Sequence, residues 1–281
     1  MRKTPPSAAT QSGEKLQKVL AEQGLASRRE IERWISAGRI RVNDEPAHLG
    51  QRVMATDKIE VDGQKIAQAR NQGTQVLILN KAAGTVCARH DPEGRKTVFE
   101  GLPHLDHGRW ISVGRLDFNT TGLLLLTNSG ALANKLMHPS TGLDREYAVR
   151  INGKLEDHDI SALKEGIEVE DEFLNFSDVR YYDGSGANHW YHVVLMEGKN
   201  REVRRLFEAR DYPVSRLKRV RYGPVILPSW LRNGHWAVLR DEDVKTLCRL
   251  LGLAFESGAR RKRRSKLAKT TCLLPYPKLA S

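Results

Sequence analysis

Cysteine is scarce. The 281 residues hold three, Cys87, Cys248 and Cys272, and no two of them form a C-x-x-C. Their odd number and wide spacing argue against a disulfide framework or a zinc site, and fit a reducing cytoplasm. Long hydrophobic runs are also missing: none approaches the roughly 18 residues of a membrane span, so no membrane partner is expected. The N-terminal MRKTPPSAATQSG lacks the apolar centre of a secretory signal, and residues 1–13 are expected to form a disordered leader. There is no G-x-x-x-x-G-K-[ST], no G-x-G-x-x-G between a strand and a helix, no H-E-x-x-H and no G-x-S-x-G. The stretch GSGANH falls inside an apparent hairpin, and the nine histidines are scattered. A nucleotide, metal or triad enzyme is therefore disfavoured, and neither cofactor nor metal is expected.

Positive charge is what the chain has in excess. The formal charge is +12 and the pI near 9.7, which favours a polyanionic partner. Eight Lys/Arg and one acid lie in residues 256–281, so +5 of the +12 belongs to the rest of the chain. The segment 252–281 is expected to be a basic, disordered tail.

Two compositional units precede that tail. In residues 14–67, KLQKVLAEQG places Leu16, Val19 and Leu20 on one helical face and stops at Gly24. SRREIERWISAG predicts a second helix, with Ser27 as N-cap and Glu30 completing a capping box. RIRVN and DKIEVDGQKI predict short strands with an Asp62-Gly63 turn. Arg28 and Arg29 occupy the first turn of the second helix, where positive charge opposes the macrodipole. A phosphate there would meet free N–H groups and two guanidinium groups, and Arg33, Arg39 and Arg41 could extend the surface. An ordinary solvated helix start explains the pattern equally well.

Residues 68–74 predict a polar linker, and 75–251 a second unit. Its strands (QVLILNK, WISVGRLD, REYAVRING, a hairpin over 179–198 and VSRLKRVRYGPVIL) mix with helices without regular βαβ alternation. That predicts an α+β fold with a mixed, largely antiparallel sheet. Within GRLDFNTTGLLLLTNSG, the leucines 123–126 predict a strand buried on both faces, and Ser129 a helix cap. Asp117 then sits where a strand gives way to a loop, a position that often carries function. A turn aspartate paired with Arg115 remains the simpler reading of that residue alone. The helix from Arg201 divides Val203, Leu206 and Phe207 from Arg201, Arg204 and Arg205, so one face is basic. With RLKRVR on an adjacent strand, this predicts a groove for nucleic acid.

Taken together these blocks resemble a family. GRLDFNTTGLLLLTNSG is similar to the catalytic motif of the RsuA/RluB/RluE/RluF branch of pseudouridine synthases, and the first unit resembles the S4 RNA-binding domain preceding it there. DPEGRKTVF, LMHPS, REYAVR, EGKNREVRRLFEA and VSRLKRVRYG extend the resemblance over residues 14–251. Ser129 departs from it, standing where the family usually has Asp. The resemblance implies an isomerase acting on ribosomal RNA, closest to the B type that acts on large-subunit (23S) rRNA. It implies Asp117 as the catalytic carboxylate, Tyr147 packing on the target uracil and Arg204 pairing with the carboxylate. It further implies Arg115 contacting RNA near the flipped nucleotide, and Leu217 lining the pocket. Arg28, Arg29, Arg33, Arg39, Arg41, Arg201 and Arg205 are the expected RNA-binding cations, and a cytoplasmic monomer is expected. Small-subunit RNA as substrate, a noncatalytic assembly factor and a two-carboxylate glycoside hydrolase are the alternatives.

Overall fold

The structure is a computed structural model, and it describes residues 13–66, 73–258 and 272–275. The expected leader, most of the linker and most of the basic tail lie outside the described residues. Chain contacts divide it into two units, one ending at Gln72 but including 104–109, the other holding the remainder.

In the first unit, α1 (Leu16–Glu22) and α2 (Arg28–Ser36) pack against a four-stranded sheet. Its strands are β1 (Ile40–Val42), β2 (Glu45–Pro46), β3 (Ile59–Val61) and β4 (Gln64–Ile66), ordered β2-β1-β3-β4. Leu16, Leu20, Ile31 and Ile35 meet Ile40, Val42, Ile59 and Val61 in one core. Asp62 and Gly63 both have positive φ, 50° and 76°, which gives the two-residue hairpin turn that Asp-Gly favours. Ser27 caps α2 by accepting from the Glu30 amide at 3.1 Å. The expected capping box is only half formed, because the Glu30 carboxylate turns to Arg33 (3.0 Å) and the Trp34 indole (3.1 Å).

The second unit is built on a nine-stranded mixed sheet. Its main strands are β5 (Val76–Lys81), β6 (Thr121–Thr127), β7 (Arg145–Asn152), β8 (Asp178–Ser185), β9 (Asn188–Leu195), β10 (Val214–Tyr222) and β11 (Trp236–Val238). They run in the order β8-β9-β7-β10-β6-β5-β11, antiparallel except where β10 meets β6. β6 lies inside the sheet, and Leu123, Leu124, Leu125 and Leu126 are all fully buried. Leu123 and Leu125 join the core beneath α3 (Gly130–Met137) and α6 (Asp241–Leu250). Ser129 caps α3 through the Leu132 amide at 3.3 Å. α4 (Asp157–Glu165) and α5 (Glu202–Glu208) complete the helices.

A close backbone approach joins β6 to β10. Gly122 has φ +99°, and a Cβ there would come within 2.2 Å of the Arg219 carbonyl oxygen. Only glycine lets β6 lie this near β10. Two stretches of the expected tail pack on the body: Leu253 and Phe255 of 252–258, and Leu273 of 272–275, lie against its core. Cys272 is buried in the core, its carbonyl accepts from Ile226 (2.8 Å), and Leu274 donates to Pro224 (2.7 Å). Hydrophobic burial of Cys272 and these backbone bonds hold a segment whose composition alone reads as tail.

Candidate active site

The Asp117 loop leaves the short strand Ile111–Ser112 and returns into β6. The Thr120 amide donates to the Asp117 carbonyl at 3.0 Å, closing a turn. Beneath it lies Lys81, the last residue of β5 and fully buried. Its Nζ donates to the carbonyls of Asp117 (3.0 Å), Phe118 (3.3 Å), Thr120 (2.9 Å) and Ala82 (3.0 Å). One ammonium thus gathers three carbonyls of the loop. Burial pulls the Lys81 pKa below its ordinary value, and the nearby Cys87 and Asp117 oppose that pull. No sequence motif singles out Lys81; the available signal is a cation ending the otherwise apolar VLILNK.

The loop presents Asp117 half-buried, its carboxylate without an ion pair or hydrogen bond among the described residues. The simpler reading, a turn aspartate paired with Arg115, is not what forms. Arg115 is exposed and free of any acid among the described residues. Both line a cleft of about 570 Å³, together with Tyr147, Leu217 and Arg201. Tyr147 rises from β7 and Leu217 from β10; both are buried. Arg204 stands behind the cleft, 8% exposed, and donates to the Val214 carbonyl at 2.8 Å. It forms no ion pair with Asp117. Burial and Arg201 hold its pKa down, while Asp117 and Glu208 act in the opposite sense, so the two charges interact through space.

A half-buried carboxylate without a partner, beside an aromatic ring and an apolar wall, suits a flat neutral ring attached to a group the carboxylate attacks. Residues 75–209 match the RNA pseudouridylate synthase family, and residues 14–59 match the S4 domain. The chain is 52% identical over 256 residues to "Ribosomal large subunit pseudouridine synthase B" of Pseudomonas aeruginosa, covering 90% of this chain and 66% of the relative. It is 49% identical over 251 residues to the protein of that name from Escherichia coli (strain K12), covering 88% and 86%.

The chain belongs to the pseudouridine synthase family. A solved structure described as a pseudouridylate synthase aligns with 83% of this chain and 99% of its own, at 25% identity and a TM-score of 0.58.

The basic residues of this pseudouridine synthase meet different fates. Arg201 is exposed, lines the cleft, and approaches Glu208 at 3.8 Å. Arg205 is instead held by Glu172 (2.5 Å), Glu170 (2.9 Å) and the Val169 carbonyl (2.8 Å), so its guanidinium is committed to structure. Arg221 is taken up by Asp144 (2.7 Å) and Glu146 (2.9 Å), and Arg219 turns inward. The continuous basic sheet surface expected from RLKRVR is therefore reduced to Arg216 and Lys218. In the S4 unit, Arg28 and Arg29 are exposed in the first turn of α2, without an acidic partner among the described residues. Arg33 pairs with Glu30 (3.0 Å), Arg39 pairs with Asp62 (2.5 Å) and stacks on Trp34, and Arg41 bonds the Asp44 carbonyl. Among the described residues no group of His, Cys, Asp and Glu could hold a metal ion, and no helix is long and apolar enough to cross a membrane.

Proposed function

We propose that this pseudouridine synthase isomerises one specific uridine of large-subunit ribosomal RNA, with Asp117 as the catalytic carboxylate. The observation that carries the reading is the unpaired Asp117 carboxylate, on a loop whose backbone carbonyls Lys81 holds, in a cleft walled by Tyr147 and Leu217. Relatives at 48–52% identity are named for the large subunit, which supports that choice of RNA.

The target uridine leaves its stack to enter the cleft, because its glycosidic bond is inaccessible within a helix. Tyr147 packs on the uracil face and Leu217 supplies the apolar wall. Asp117 acts as an anion at the ribose, on C1′ or as a base. The Arg204 charge interacts with the Asp117 carboxylate through space. The C1′–N1 bond breaks, the base turns, and C5 bonds to C1′. C5 then loses a proton and N1 gains one. Substrate and product are isomers, so the balance needs no oxidant, reductant or energy-carrying nucleotide.

Residues 14–67 serve as an S4-like RNA-binding unit and 75–251 as the catalytic unit, joined by 68–74. Arg28, Arg29, Arg115 and Arg201 contact phosphates, and the enzyme works as a cytoplasmic monomer. Pseudouridine mapping of ribosomal RNA tests this, comparing a deletion strain with strains rescued by wild type or Asp117→Ala. One large-subunit site should vanish and return only with wild type. A lost small-subunit site would move the substrate; no lost site would replace the enzyme reading with a noncatalytic assembly factor.

A further inference from the structure

Two buried polar groups in the wall of the Asp117 cleft have nothing to bind. Arg219 is 3% exposed. Its Nε donates to the Leu123 carbonyl at 2.7 Å, but its buried Nη2 has no hydrogen-bond partner, and it forms no ion pair among the described residues. Thr120 is 2% exposed, and its hydroxyl is likewise unpartnered. Both line the cleft. Such groups are costly to bury unsatisfied, and a cation most of all. A fold that keeps both at the site of reaction is completed by a ligand that satisfies them.

The backbone places them together with the residues given to the base. Arg219 pairs with Gly122 across the β10–β6 ladder, and Thr120 lies two residues before Gly122. Across β7, Arg219 stands opposite Tyr147, and Leu217 is two residues away on the same strand. Arg145, the other buried cation of the wall, leaves no fully buried nitrogen without a partner among the described residues. It donates to the carbonyls of Leu143 (3.0 Å) and Met196 (2.7 Å) and to the Tyr222 hydroxyl (3.1 Å). Tyr222 lies between the two guanidinium groups, 5.1 Å from Arg219 and 5.0 Å from Arg145. Arg219 is therefore the one with donors to spare.

We infer that Arg219 and Thr120 read the flipped uracil: Arg219 donates to a ring carbonyl, and the Thr120 hydroxyl accepts from N3–H. This rests on the proposal that the cleft isomerises a uridine. Uracil offers an acceptor, a donor and an acceptor along O2, N3–H and O4. Cytosine has no N3–H and carries an amino group in place of O4, so it offers Arg219 only O2, cannot present a carbonyl on both sides of a half-turn, and forces Thr120 to donate instead of accept. A phosphate is the poorer occupant, since Arg219 is deep while the exposed Arg115 and Arg201 stand at the same cleft.

The same contacts suit the chemistry. A half-turn of the detached base about its N3–C6 axis exchanges N1 with C5 and O2 with O4. N3–H stays in place, so the Thr120 bond persists, and Arg219 meets a carbonyl before and after the turn. When the C1′–N1 electron pair departs with the base, the charge spreads onto O2 and O4, where a fixed cation stabilises it. Bonding of C5 to C1′ uses up this charge; loss of the C5 proton returns it to the ring, and protonation of N1 removes it.

The test is single-turnover pseudouridine formation at saturating RNA, measured beside RNA affinity for wild type, Arg219→Met, Arg219→Lys, Thr120→Val and Thr120→Ser. Arg219→Met should slow the step about 100-fold, with RNA affinity within about threefold of wild type. Thr120→Val should slow it about tenfold, and Thr120→Ser should restore it. Replacing the target with 4-thiouridine or 2-thiouridine weakens one carbonyl acceptor. It should slow wild type about tenfold and leave Arg219→Met unchanged. Arg219→Met that binds RNA weakly but reacts at the wild-type rate would make Arg219 a phosphate contact and overturn the inference. Equal thio effects in wild type and variant would also overturn it. If Arg219→Met does not fold, the thio comparison with Arg219→Lys decides the matter. Wild type that forms no pseudouridine would instead sink the underlying enzyme reading.

Discussion

Replacing Lys81 with Met removes the clamp under Asp117 while keeping a side chain of similar length. In the native protein one ammonium serves four carbonyls at 2.9–3.3 Å, three of them in the loop 117–120. Each buried carbonyl left without a donor costs about 1–3 kcal/mol. Against this, Met removes the desolvation cost of a buried cation, the same cost that lowers the Lys81 pKa. A net loss of about 2–4 kcal/mol is expected, because partial relaxation rehydrates the outer carbonyls. In a unit of this size that lowers Tm by roughly 5–15 °C. Activity should fall further than stability suggests, since a 1 Å shift of a reacting group can cost about 100-fold. RNA affinity should hold, because no exposed cation is touched. The assays are a thermal melt, single-turnover pseudouridine formation and an RNA titration on the same preparation. A Lys81→Met protein that melts with wild type and reacts at its rate would refute the clamp.

The cations make separable predictions. Arg28→Ala with Arg29→Ala should weaken RNA binding and reduce the salt slope of the affinity by about 2. Arg205→Ala should lower Tm and leave that slope unchanged, since Arg205 is spent on Glu170 and Glu172; a reduced slope would return it to the RNA surface. Asp91 accepts from the Arg95 guanidinium at 2.8 Å, which holds its pKa at about 2. Its folded-state pKa is depressed, so its contribution is complete above the ordinary value near 3.8 and is lost as pH falls through about 2. An NMR titration of the Asp91 carboxyl should show that midpoint, and a midpoint near 4 would break the assignment.

Much of the fold was legible because its causes are local. Four successive leucines between turn formers make a strand buried on both faces wherever the sheet is mixed. Ser27 and Ser129 cap helices through amides three residues away. The GRLD stretch marked Asp117 as a loop acid, and its family resemblance marked Tyr147 and Leu217, which the fold brings to one cleft. The fates of the cations were not legible. The spacing of Arg201, Arg204 and Arg205 puts them on one helical face, yet one lines the cleft, one binds the Val214 carbonyl and one is held by acids more than thirty residues earlier.

Helices, caps, turns and the apolar strand were determined by the sequence itself, because each depends on neighbours within a few positions. Tertiary structure alone decided which charges are free. Lys81 finds its loop 36 residues on, and Arg219 meets the Leu123 carbonyl across 96 residues. A side chain's charge is written in the sequence, but whether that charge is already satisfied depends on partners that only folding brings within bonding distance.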